Sequence, residues 1–215
     1  MSTVARPQAA AARRRRSPRR WLGLGLVTAG VALLVATLAN FGVGLLQEHQ
    51  LDQTWLQWRA TNPLPARPQA PNPAWLHPVN GVDFAISVPK LHYLAAVREG
   101  VGSSTLASGP GHYPEMRWPG QQGNVAVAAH NIYWIRFNDL QSGDLIILQT
   151  RWGDFRYQVT GKRLVWPDDL TVLVPTSDDR LTLTTCWPLW AGAFATQRLI
   201  ITAEQVYPDP ASGGI

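Results

Sequence analysis

Cys186 is the only cysteine among 215 residues. It ends the run Arg180-Leu-Thr-Leu-Thr-Thr-Cys186, and Trp187-Pro188 interrupts any strand straight afterwards. A lone cysteine forms no intrachain disulfide and is a free thiol, either reactive or packed. A thiol becomes a nucleophile as thiolate, so it needs a cation or a proton acceptor nearby. Five histidines are available: His49, His77, His92, His112 and His130. His130 closes the apolar run Asn124-Val-Ala-Val-Ala-Ala129. A strand end holds such a side chain on rigid backbone yet leaves it accessible. His112, in Gly109-Pro-Gly-His-Tyr-Pro114, is the reserve. Arg198 opens the run Gln197-Arg-Leu-Ile-Ile-Thr202 and offers a permanent cation with several donors for an oxyanion. Taken singly, each residue also fits a plainer role: a packed thiol, a structural histidine, a surface arginine. Together they describe acyl transfer by a cysteine nucleophile.

These groups need a scaffold of strands. Phe84-Ala-Ile-Ser-Val88 alternates and stops at Pro89, and Asn124–Ala129 is a short apolar run. Further runs cover 144–150, 155–160, 171–174, 180–186 and 197–202. Arg151-Trp-Gly-Asp154 marks a hairpin turn between two of them. Short helical turns are expected near 93–98, 103–108 and 134–140. Many short strands bounded by Gly, Pro and Asp indicate an all-β barrel or sandwich. On 180–186 the two-residue period puts Thr182, Thr184 and Cys186 on one face and Leu181, Leu183 and Thr185 on the other.

The ends of the chain have a different character. The net charge is +5, and seven of the 19 Lys and Arg residues precede residue 21, while the first acidic residue is Glu48. The basicity therefore belongs to a tail over 1–20. A nucleic-acid reader carries its positive charge on the folded surface, so no nucleic-acid partner is expected. No residue from Trp21 to Leu46 is charged, and about 20 apolar residues suffice to span a bilayer as a helix. The arginines before it keep the N-terminus cytoplasmic and the rest outside. A cleaved signal peptide has a shorter apolar core, roughly 7–15 residues, so an uncleaved single-pass anchor over 21–46 is the reading adopted. The first part of 47–78, from Glu48 to Arg59, can continue the helix; Asn62–Pro73 is dense in proline. This segment is expected to be a stiff stalk that holds a domain over 79–207 off the membrane. The tail over 208–215 is expected to be disordered.

Thr182-Leu-Thr-Thr-Cys186 resembles the Thr-Leu-x-Thr-Cys signature of sortases, membrane-anchored cysteine transpeptidases. Gly123-Asn-Val-Ala-Val-Ala-Ala-His130 resembles the strand that carries the sortase histidine, and Gln197-Arg198-Leu-Ile-Ile the strand that carries its arginine. The order His, Cys, Arg is also the family's. Gly109-Pro-Gly-His-Tyr-Pro114 and the long anchor look most like classes D and E, although Ala129 and Asn131 stand where those classes usually have Gly and Arg. The resemblance covers about 84–204. It implies a closed β-barrel of about eight strands with short helices, and catalytic roles for Cys186, His130 and Arg198. It also implies substrate contacts from Thr184, Thr185 and Tyr113, the tyrosine being associated with Ala as second residue of the motif. The implied partners are secreted proteins bearing a C-terminal Leu-Pro-x-Thr-Gly sorting motif, or its Leu-Ala variant, and an amine acceptor from a cell-wall precursor or a pilin. No cofactor and no metal are implied. Two other functions use the same residues differently: a cysteine hydrolase of the same motif, and a β-domain that binds the motif without cleaving it.

Overall fold

The computed structural model describes residues 18–209, so the expectations for 1–17 and 210–215 lie outside the described residues. Two compact units divide between Asn40 and Phe41, inside the helix α1, Pro18–Thr61. Among the described residues α1 is the one helix long and apolar enough to cross a membrane.

The second unit contains a closed barrel. Its strands are β1 (Phe84–Val88), β2 (Tyr93–Glu99), β3 (Gly111–His112), β4 (Asn124–Ala129), β5 (Leu145–Thr150), β6 (Gly153–Val165), β7 (Arg180–Trp187) and β8 (Gln197–Tyr207). The order around the barrel is β1-β2-β3-β4-β7-β8-β6-β5, closing back on β1. Two neighbours run parallel, β2 with β3 and β4 with β7; the others are antiparallel. The expected hairpin holds, with Thr150 facing Gly153 across the turn. Burial alternates along β5 and the first part of β6, as a strand with one face on a core requires. Phe84, Ile86, Val127, Ile146, Leu148, Leu181, Leu183 and Ile201 fill the interior with Trp134, Trp152 and Tyr157.

Two segments differ from expectation. Residues 93–98, expected as a helical turn, are strand β2. The run Tyr-Leu-Ala-Ala-Val-Arg has good helix formers, but a turn over Pro89–Leu91, with His92 in the left-handed region, folds it back onto β1 in register from Val88–Tyr93 to Phe84–Val97. Residues 171–174, expected as a strand, fall in a 3-10 turn over Leu170–Leu173. There Asp169 accepts a bond from the Thr171 amide and Val172 packs on Val165 and Ile200. Ser103–Leu106 is a short helix, α2.

Residues 47–78, expected as a stalk, lie on the barrel wall. Leu51, Trp55 and Trp58, spaced four and three apart on one helical face, pack with Val82, Ala85 and Ala96. Asp52 accepts from the Ala96 amide at 2.7 Å, and Arg59 grips Asp154 with two bonds of 2.6 and 3.0 Å. Beyond the helix, the Gln69 amide donates to the Trp152 carbonyl, and Trp75 stacks on Trp152 at 6.4 Å. Apart from a 3-10 turn over Pro73–Trp75, capped by Asn72, the proline-dense stretch has neither helix nor strand, as anticipated, but it is held against β6 and the turn before it.

Candidate active site

The parallel ladder between β4 and β7 pairs Ala129 with Thr185. The next residue on each strand is His130 on one and Cys186 on the other, so the two lie side by side where the strands end. On the far side of β7, the antiparallel ladder puts Arg198 directly opposite Cys186. Adjacent strands are about 4.8 Å apart. Three neighbouring strands therefore deliver one chemical group each to the same end of the barrel.

These groups share an opening. Cys186, His130 and Arg198 line a cavity of about 210 Å3 with Tyr113, Ala128, Ala129, Thr184, Thr185, Val101 and Leu106. Cys186 is half-buried and unpaired by disulfide. Burial lowers the His130 pKa below its ordinary value, and the positive charge of Arg198 lowers it further. Both causes disfavour the imidazolium, the second because like charges repel. The Arg198 guanidinium also donates to the Gln197 carbonyl at 3.2 Å, which helps to hold it at the mouth of the strand.

Of the remaining candidates, Tyr113, Thr184 and Thr185 line this cavity and His112 does not. Tyr113 Oη and Thr184 Oγ1 are 3.2 Å apart and share a hydrogen bond. Thr182, on the Cys186 face of β7, donates to Asn124 Oδ1 at 2.9 Å. Thr185 borders the cavity, but its hydroxyl is fully buried without a hydrogen-bond partner, as the opposite face of the strand dictates. His112, the reserve, is fully buried. Its Nε2 donates to the Arg117 carbonyl at 3.0 Å and its Nδ1 is 3.5 Å from buried Asp83. It does not open onto the cavity.

Two wall residues, Val101 and Leu106, carry no local signal in the sequence. They are brought in by the loop that joins β2 to its parallel neighbour β3. Asn131 reaches across to donate to the Gly192 carbonyl at 3.3 Å, tying the segment after β4 to the loop between β7 and β8. A larger open groove, about 1140 Å3, lies at the other end of the barrel beside Gly120, Phe155, Asp179 and Glu204. Neither cysteine nor histidine lines it.

Residues 86–206 match the sortase domain family model. This chain belongs to the sortase family. Sortase D of Bacillus subtilis (strain 168) is 29% identical to it over 141 residues, covering 64% of this chain and 71% of that one. The solved Sortase D5 transpeptidase of Clostridium perfringens superposes with a TM-score of 0.54 at 25% identity, covering 59% of this chain and 79% of that one. A sortase from Actinomyces oris is 32% identical with a TM-score of 0.52, over 61% of this chain and 84% of that one. The present sortase thus has the family's barrel, and the family assigns it in general terms to the cell-wall sorting transpeptidases.

Proposed function

We propose that this sortase cleaves a C-terminal sorting motif of the Leu-Pro-x-Thr-Gly kind, or its Leu-Ala variant, between Thr and Gly. It then transfers the acyl group to an amine of a cell-wall precursor or a pilin. The observation that carries the reading is the single cavity onto which Cys186, His130 and Arg198 open from β7, β4 and β8.

The Cys186 thiolate attacks the Thr carbonyl carbon, and the electron pair moves to the carbonyl oxygen. Arg198 stabilises that oxyanion. Collapse of the tetrahedral intermediate breaks the Thr–Gly bond as the His130 imidazolium gives its proton to the leaving Gly nitrogen, leaving a thioester on Cys186. An acceptor amine then attacks the thioester, neutral His130 takes the amine proton, and the thiolate leaves. Both half-reactions use the same three groups, with His130 acid in the first and base in the second. Tyr113 and Thr184, joined on the cavity wall, contact the bound motif.

The apolar stretch 21–46 is the proposed single-pass anchor, with the N-terminus in the cytoplasm and the barrel outside. Tethering enzyme and substrate to one face raises their effective concentration. The test is intact-mass spectrometry after incubation with a panel of sorting peptides. An acyl adduct on the wild-type chain that is lost in Cys186→Ala is expected. Addition of triglycine then converts the adduct to ligated product in excess of free acid. Free acid alone would make the chain a hydrolase, and absence of any adduct or cleavage would leave a binding domain.

A further inference from the structure

The contacts along α1 follow an order. At Gly44 a side chain would run into the Ala107 carbonyl, and Tyr133 Oη is next nearest. Glu48 lies beside Gly109. Asp52 bonds the Ala96 amide, Trp55 donates to Gln149, and Arg59 grips Asp154. In the barrel this is a path from the end where β4 and β7 finish to the end where the β5–β6 hairpin turns. The helix therefore meets the barrel first at the end that carries His130 and Cys186. Where it does so, Phe41, Val43, Leu45 and Leu46 are exposed.

The same end carries more apolar surface. The segment after His130 exposes Ile132 and Ile135 on either side of Tyr133, whose hydroxyl donates to Ala107 at 2.6 Å beside Gly44. The Asn131–Gly192 bond attaches the loop between β7 and β8, where Trp190 is 83% and Phe194 89% exposed. Two loops at the mouth of the cavity thus present four large apolar side chains to solvent. One of these loops packs next to the apolar end of α1.

We propose that Ile132, Ile135, Trp190 and Phe194 form a membrane-contacting rim that enters the interface of the bilayer holding α1 and keeps the Cys186 cavity at the lipid surface. This rests on the anchor reading given above. A lipid surface is the occupant because the loop bearing Ile132 and Ile135 adjoins the exposed apolar stretch Phe41–Leu46 of α1, where Tyr133 and Ala107 meet Gly44. Aromatic and aliphatic side chains on a loop partition into the headgroup boundary, and Trp is favoured there. A single helix can still tilt and rotate in the bilayer with the domain packed on it; a second apolar attachment fixes the orientation. The cavity then opens toward acceptors that are themselves lipid-linked, whereas a soluble peptide gains nothing from the attachment.

The experiment uses the full chain carrying Cys186→Ala, with single cysteines introduced as Ile135→Cys, Phe194→Cys, Leu46→Cys or Ser177→Cys and labelled with a nitrobenzoxadiazole dye. Each is reconstituted in phosphatidylcholine–phosphatidylglycerol vesicles containing a headgroup-proximal nitroxide lipid. Labels at 46, 135 and 194 are expected to be quenched and that at 177, beside the far groove, to be unaffected. Quenching at 46 without quenching at 135 and 194 overturns the rim and spares the anchor. No quenching at 46 overturns the anchor reading and the rim with it. Labels at 135 and 194 shielded from aqueous iodide but untouched by the nitroxide lipid would assign the surface to a second copy and also overturn the proposal. In the active chain, the double substitution Ile132→Ser with Ile135→Ser should slow transfer to triglycine coupled to a phospholipid headgroup several-fold. Transfer to soluble triglycine should stay unchanged. Equal loss on both acceptors would contradict the rim.

Discussion

Cys186 and Arg198 face each other across the β7–β8 ladder. The backbone pairing that creates this relationship does not depend on either side chain, so the guanidinium can be removed without disturbing the strands. Arg198→Ala is expected to lower kcat/KM on a sorting peptide by about 10²–10³, the range found for loss of one oxyanion donor. Arg198→Lys should recover little, because one ammonium does not reproduce the planar fork. Circular dichroism and thermal unfolding should remain those of the parent. A variant that keeps full activity would remove Arg198 from the mechanism.

The parts of this barrel that can be read from the chain are those with local causes. Val125–Ala129 and Leu181–Thr185 are apolar or β-branched throughout, and Pro188 limits the second run, so the ends that present His130 and Cys186 are legible. Strand β2 is not: Ala95 and Ala96 suit a helix equally well, and only pairing with Ala85 and Ile86 decides. Thr171–Val174 shows the converse, a run suited to a strand whose first three residues are drawn into a 3-10 turn capped by Asp169. In the segment taken as a stalk, the spacing of Leu51, Trp55 and Trp58 is itself a sign of a packing face, which the density of prolines downstream obscures. Val101 and Leu106 reach the cavity through a parallel crossover, and such long-range connections leave no mark on neighbouring residues.

His130 should titrate below the ordinary histidine value of about 6.5. Burial is the larger cause and Arg198 the second. In the Cys186→Ala chain, NMR titration of the His130 ring should give this lowered value. Adding Arg198→Gln should bring it part of the way back up, since only the charge is removed. The sign for catalysis follows: a lower imidazole pKa reduces the imidazolium present at neutral pH, so the share of enzyme holding thiolate and imidazolium together is small. The kcat/KM profile should be bell-shaped, and a flat line between about pH 6 and 9 would contradict the acid–base assignment.

The contact between α1 and the barrel should weaken as pH rises. Glu48 is raised to about 7, by burial and then by Asp52, and Asp52 to about 6, mainly by burial against the lowering effects of the Ala96 amide and His49. An acid whose pKa is higher folded than unfolded binds more protons in the folded state. Stability is therefore lost between the ordinary carboxylate value and the raised one, here from about pH 4.5 to about 7. The melting temperature in detergent should fall over that window. Glu48→Gln should raise it at pH 8 and flatten the slope. An unchanged slope in Glu48→Gln would mean that the carboxyl is solvated in the folded chain.

Trp55 should matter far more to stability than the ion pair one turn further on. Its ring is 3% exposed, stacks on Trp58 at 5.6 Å, packs on Val82, Ala85 and Ala96, and donates to Gln149 at 3.1 Å. Truncating a buried tryptophan costs about 3–5 kcal/mol. Arg59 and Asp154 keep 20% and 32% of their side chains exposed, and a pair of that kind contributes about 1 kcal/mol or less despite its two bonds. Denaturant unfolding of the full chain in detergent should place Arg59→Ala slightly below the parent and Trp55→Ala far below both. A Trp55→Ala chain as stable as the parent would show that 47–61 is free of the barrel in solution, which would restore the spacer reading of this segment.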